Sequence, residues 1–275
     1  MMKKPDQRYL IALQLGQPAF LQNALKVKCT VMCIIIKFYR FGGVFQHVCL
    51  IFYVTFRLTL MHNPIEKHKV LLSYIMTSPG EEKAWEILRG LDPSDVCRNA
   101  SVGFDKKGRY YIVRSFCTDF LVKPEEKIIR SATHQGETII KRYGYFFIHS
   151  CLWYLVNAKD IPLTGRLIKP FNIKGGEMFF RGSHILPLES LGKRYRNDKE
   201  AFIKRGSELG AEVLNYGDAS IKLLPMPRIP VTLILWLEDE EFPPRADILL
   251  DSTCELQLPL DIIWSVTMMS VLVMM

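Results

Sequence analysis

The sequence predicts an α+β protein. Residues 76–275 read as a single domain with a mixed, mostly antiparallel sheet and packed helices, preceded by a poorly integrated N-terminal segment, residues 1–75. Three observations carry this reading. From Val102 the apolar residues alternate in four short runs, which is the period of half-buried strands. Over residues 137–158 apolar side chains instead recur every three or four positions, as on one long helix. Residues 231–237 are almost all apolar, the pattern of a central strand covered on both faces. Strands, then one long helix, then more strands is the order of an α+β fold rather than of alternating βαβ units.

The elements follow in turn. Ser78-Pro-Gly-Glu81 opens a short amphipathic helix with a capping box, and Ala84, Trp85 and Leu88 form its inner face. Asp92-Pro93 starts a second short helix. Residues 102–105, 109–114, 117–123 and 127–131 read as a meander broken at Gly108 and Pro124. After the long helix, residues 166–182 are punctuated by glycine and read as a twisted hairpin. Asp198 and Gly210 bound a further helix as N-cap and C-terminal glycine. Residues 211–216 and 220–224 flank Gly217-Asp218 as strands, and 246–250 return beside 231–237. In this arrangement Trp236 is expected to be largely buried, and Phe242 to tuck back onto the sheet. Pro259 opens the last helix, with Ile262, Ile263 and Val266 inward.

All the net charge lies in the leader. Residues 1–75 hold ten Lys/Arg against two acids, so residues 76–275 hold 26 of each from totals of 36 and 28. A neutral body gives no electrostatic reason to expect a nucleic-acid partner. The longest uncharged run within the leader's apolar segment 29–60, residues 41–56, is 16 long, short of the ~20 that a membrane-spanning helix needs. Its apolar part starts too late for a secretory signal. Two readings stand for it: a weak membrane segment over residues 29–60, or sequence ahead of an initiator at Met61 or Met76. Membrane contact is expected only if 29–60 is genuine.

Seven cysteines, Cys29, Cys33, Cys49, Cys97, Cys117, Cys151 and Cys254, include no C-x-x-C pair. The chain therefore carries no self-contained zinc or iron–sulfur motif, and its cofactors are unassigned. Scattered thiols without a signal peptide suit the reducing cytoplasm. His149 and Cys151 stand two apart on a helix and point some 200° from each other, so they cannot act as a pair. No nucleophile elbow, zincin or deaminase motif occurs.

Two polar constellations remain. The first is the acidic turn of Glu238, Asp239, Glu240 and Glu241 together with Asp251. Asp239, Glu241 and Asp251 are the candidate ligands for a hard divalent cation, against the alternative of a solvated turn. If that site exists, Asp251→Asn should abolish metal-induced stabilisation and leave the metal-free protein little changed. The second is Thr164, Arg166, Gly175, Gly176, Arg181 and His184, where glycines and cations could admit a carboxylate or phosphate.

Several runs resemble one family. They are Leu91-Asp-Pro93, Pro162-Leu-Thr-Gly165, Gly175-Gly176, Pro187-Leu188, Asn215-Tyr-Gly-Asp-Ala219 and Pro225-x-Pro227-x-x-Pro230. Leu235-Trp236, Asp239-Glu-Glu-Phe-Pro243 and Ile248-Leu-Leu-Asp251 continue the series. Their ordered succession from about Gly80 onward resembles the uncharacterised prokaryotic domain-of-unknown-function family 3786. The resemblance implies a fold unit and an anaerobe-like setting, and no established activity comes with it. Some relatives carry an added cysteine-rich iron–sulfur module, which this chain lacks.

The functional expectation is a cytoplasmic accessory or ligand-binding domain with a protein partner or small-molecule ligand. The alternative is a metal-dependent or acid–base enzyme joining the acidic turn to the Arg181/His184 loop.

Overall fold

The structure, a computed structural model, describes residues 79–275. The leader readings, the alternative start sites and the Ser78 cap lie outside the described residues.

The first helix, α1 (Pro79–Gly90), buries Ala84, Trp85 and Leu88 as its spacing requires. Helix α2 (Pro93–Ala100) is capped by Asp92, whose carboxylate accepts from the Ser94 and Asp95 amides. Four strands then form an antiparallel meander: β1 (Gly103–Asp105), β2 (Tyr110–Ser115), β3 (Thr118–Lys123) and β4 (Ile128–Ser131). Between β2 and β3 the chain reverses at Phe116 and Cys117, both at positive φ (46° and 61°). That two-residue turn normally selects Asn-Gly, so Phe-Cys carries no turn signal, and β3 begins one residue after the expected 117. Tyr111, Val113, Phe120 and Val122 share the buried face of this sheet.

That face meets α3 (His134–Asn157), where Phe120 and Phe147 pack with ring centroids 4.2 Å apart. Thr133 caps α3 by accepting from the Gly136 amide, so the helix starts three residues before the expected Glu137. Its axis kinks at Tyr143 (φ −123°, ψ 18°), whose hydroxyl donates to the Leu272 carbonyl at 3.1 Å.

The second sheet is also wholly antiparallel, so the expected mixed sheet resolves into two antiparallel ones. It comprises β5 (Leu167–Ile168), β6 (Glu212–Leu214), β7 (Ala219–Met226), β8 (Ile229–Trp236) and β9 (Arg245–Asp251), in the order β5-β9-β8-β7-β6. The apolar run is thus the central strand, as expected. Val231, Leu233 and Leu235 share one face with Ile221, Leu223, Ile248 and Leu250. Helices α5 (Leu188–Tyr195), α6 (Lys199–Glu208) and α8 (Leu260–Leu272) pack against this sheet. Gly206 of α6 has no room for a Cβ, which would lie 2.7 Å from Ile221 Cδ1. Helix α5 crosses β9 so closely that a Cβ on Gly192 would sit 2.8 Å from Arg245 Cα.

Two expectations are corrected here. Trp236 lies on the opposite face of β8 and is only half-buried, with the Arg245 guanidinium 4.7 Å above its ring. Its indole N–H donates to Asp247 at 3.1 Å. Phe242 does not fold back onto the sheet but is 64% exposed.

Residues 166–184 are not a glycine hairpin either. After β5 they form a 3₁₀ turn (Pro170–Asn172), a single helical turn α4 (Gly176–Phe179) and another 3₁₀ turn (Gly182–His184). The short α7 (Cys254–Gln257) precedes α8. All described residues belong to one compact unit, and none of their helices is long and apolar enough to cross a membrane.

Candidate functional site

After α3 the chain makes a long excursion over residues 158–187, and the candidate residues of the basic constellation all ride on it. Its backbone is fastened at successive points by side chains from the region between β9 and α8. Gln257, fully buried, accepts from the Lys159 amide at 2.8 Å and donates to the Lys159 carbonyl at 3.0 Å. This satisfies both backbone groups of one residue without secondary structure.

Asp251 makes the next fastening, and it is the most heavily bonded side chain of the region. It is 3% exposed. One carboxylate oxygen accepts from Thr164 N (3.3 Å), Thr164 Oγ1 (3.1 Å), Thr253 N (3.0 Å) and Thr253 Oγ1 (2.8 Å). The other accepts from Gly165 N at 2.7 Å. Burial pushes this carboxyl upward, but the bonds from Thr253, Gly165 and Thr164 together outweigh it and hold it below the usual aspartate range. Four of the five donors crowd one oxygen and Gly165 N takes the other, so both oxygens are already engaged by the chain's own amides and hydroxyls. Gly165 adopts φ +72°, the left-handed region, which lets the Thr164 and Gly165 amides converge on Asp251.

Past this latch, the Ser252 amide donates to the Arg166 carbonyl at 2.9 Å, while the Arg166 side chain stays exposed. Lys169 reaches Asp247 at 3.6 Å. The Lys174 amide donates to Glu255 at 2.7 Å. Gly175 is left-handed (φ +79°), and Gly176 is buried where a Cβ would lie 2.2 Å from the Pro170 carbonyl oxygen. The glycine pair therefore meets a packing demand, and its amides do not front an open cleft: Gly176 N donates to Ile173 O at 2.7 Å. Arg181 pairs with Glu177 at 3.1 Å and lies 5.5 Å from the Phe171 ring centroid. His184 stacks on Phe179 at 4.4 Å and meets the edge of Trp264 at 4.9 Å. Trp264 donates to the His184 carbonyl at 2.9 Å, and burial lowers the pKa of the imidazole.

The structure thus gathers the basic constellation into two groups. Thr164 and Arg166 flank the Asp251 latch, while Gly175 and His184 lie beside Leu260 and Trp264 of α8, and Gly176 and Arg181 lie against the Pro170–Asn172 turn. The cation set is split. Asp251 ends β9 and the acidic turn precedes its first residue, six residues away, so about 20 Å of strand separates them.

Within the turn, Glu238 pairs with Arg196, whose hydrogen bond holds the Glu238 carboxyl below its ordinary range. Asp239 accepts from the Glu241 and Phe242 amides at 2.8 and 2.7 Å, closing its own turn. Among the described residues no group of three or more His, Cys, Asp or Glu side chains is arranged to hold a metal ion. Nor does any hydrogen bond, ion pair or ring contact among them join the turn to Arg181 or His184.

Cys151 is fully buried, and burial pushes its thiol up to about 12. His149 instead contacts the Tyr145 ring at 4.8 Å.

Sequence reasoning missed Gln257, Glu255 and Trp264 as anchors, and missed the hydrogen-bonding role of Asp251. One signal was present. Asp251-Ser-Thr253 has the spacing of an Asx turn, which marks an aspartate that serves its own backbone.

The described residues define a two-sheet α+β domain that presents an anchored, partly cationic loop. The chain belongs to the family described as Domain of unknown function (DUF3786), whose model matches residues 92–272. No curated protein matches the chain, and no solved structure matches it.

Proposed function

We propose that this protein is a non-catalytic accessory domain that binds a carboxylate- or phosphate-bearing ligand, or an acidic face of a partner protein, on the 163–185 excursion. One observation carries the reading: the backbone of this excursion is fixed from behind by buried or bonded groups, while its cationic heads point outward. Arg166 and Lys174 are exposed, and among the described residues neither has a carboxylate within ion-pair distance. Fixing a loop before binding lowers the ordering cost of association, so a rigid display suits recognition.

Met178 and Ile185, exposed at 85% and 62%, supply apolar contact area on the same excursion. The polar groups that an enzyme would need are instead used internally. Asp251 latches the loop, Asp239 closes its own turn and Glu238 holds Arg196.

A cytoplasmic site of action fits the four described cysteines, all unpaired, two of them buried. A prokaryotic, anaerobe-like setting is what the family resemblance implies. Calorimetric titration with pyrophosphate and with citrate tests the ligand class. Saturable binding that weakens at least tenfold in Arg166→Ala/Lys174→Ala supports the proposal. Equal binding by that variant would place the ligand elsewhere and overturn it.

A further inference from the structure

We draw no further inference here: the strongest candidate, the exposed apolar patch of Leu163, Phe171, Met178, Ile185 and Leu256 on the 163–185 excursion and α7, belongs to the binding region already proposed, and nothing in the structure shows what covers it.

Discussion

Replacing Asp251 separates a latch from a metal ligand. A ligand carboxylate crowded by other acids gains when it is neutralised, so Asp251→Asn would leave the metal-free protein unchanged or improved. A latch behaves in the opposite way. Asp251 takes five hydrogen bonds while 3% exposed. Its removal leaves the buried Thr253 amide and the part-buried Gly165 amide without their acceptor, at about 1–3 kcal/mol for a buried group and less where water can enter. Non-additivity and entry of water bring the expected loss for Asp251→Ala to about 3 kcal/mol. Asp251→Asn keeps one carbonyl oxygen for Thr253 but turns an amide NH₂ toward the Gly165 N–H. It should cost about 2 kcal/mol. In a domain of this size each kcal/mol moves the melting temperature about 2–4 °C, so Asp251→Ala should fall by about 6–12 °C.

The pH dependence adds a second signature. Because the folded carboxyl is held below its unfolded value, its contribution is present above the unfolded pKa. It is lost as pH falls through the folded one. The wild-type advantage over Asp251→Asn should therefore shrink in acid. Thermal melts of both variants between pH 3 and 7 read this directly. An Asp251→Asn protein as stable as wild type at pH 7 would refute the latch.

Other expectations follow from single contacts. Arg228 donates to the Asn99, Arg98 and Ile161 carbonyls and pairs with Asp160, tying the β7–β8 hairpin to the end of α2 and the loop after α3. Arg228→Ala should lose about 2–4 kcal/mol in urea denaturation, and Arg228→Lys should recover little because the planar fork is gone; full recovery would mean that charge alone matters. Gly176→Ala should cost about 2 kcal/mol by pressing a methyl group onto the Pro170 carbonyl, and a neutral result would show that this turn yields easily. Burial lowers the His184 pKa, so the unfolded chain binds the proton more readily. Stability should be full above the ordinary histidine pKa and should decline as pH falls through it toward the folded value. His184→Phe should flatten that decline in melts from pH 5 to 8, and an unchanged slope would assign the effect to another group.

The parts of this molecule legible in its sequence are those fixed by local pattern. The meander, α3 and the buried β8 announce themselves through apolar periods, and Asp92 and Asp198 cap helices as their positions suggest. The excursion was not legible, because its order comes from partners 81 to 98 residues away. Gln257 finds Lys159, Glu255 finds Lys174 and Asp251 finds Gly165 only once the chain has folded. The same limit misplaced Asp251. Nearness in sequence suggested a carboxylate cluster, yet an extended strand carries Asp251 to the far end of the sheet from Asp239. Helix α5 is not legible in the sequence because Gly192 interrupts its pattern, and that glycine is needed for the close crossing with β9.

On the proposed reading the anchored 163–185 excursion is the binding face and the acidic residues are structural. Calorimetric titration of wild type and of Arg166→Ala/Lys174→Ala with pyrophosphate, alongside Mg²⁺ and Mn²⁺ alone, tests it most directly. Wild type should give saturable heat with pyrophosphate, at least a tenfold weakening is expected in the double variant, and neither metal should give saturable heat. Tight metal binding that disappears in Asp239→Asn, with pyrophosphate silent in both proteins, would contradict it.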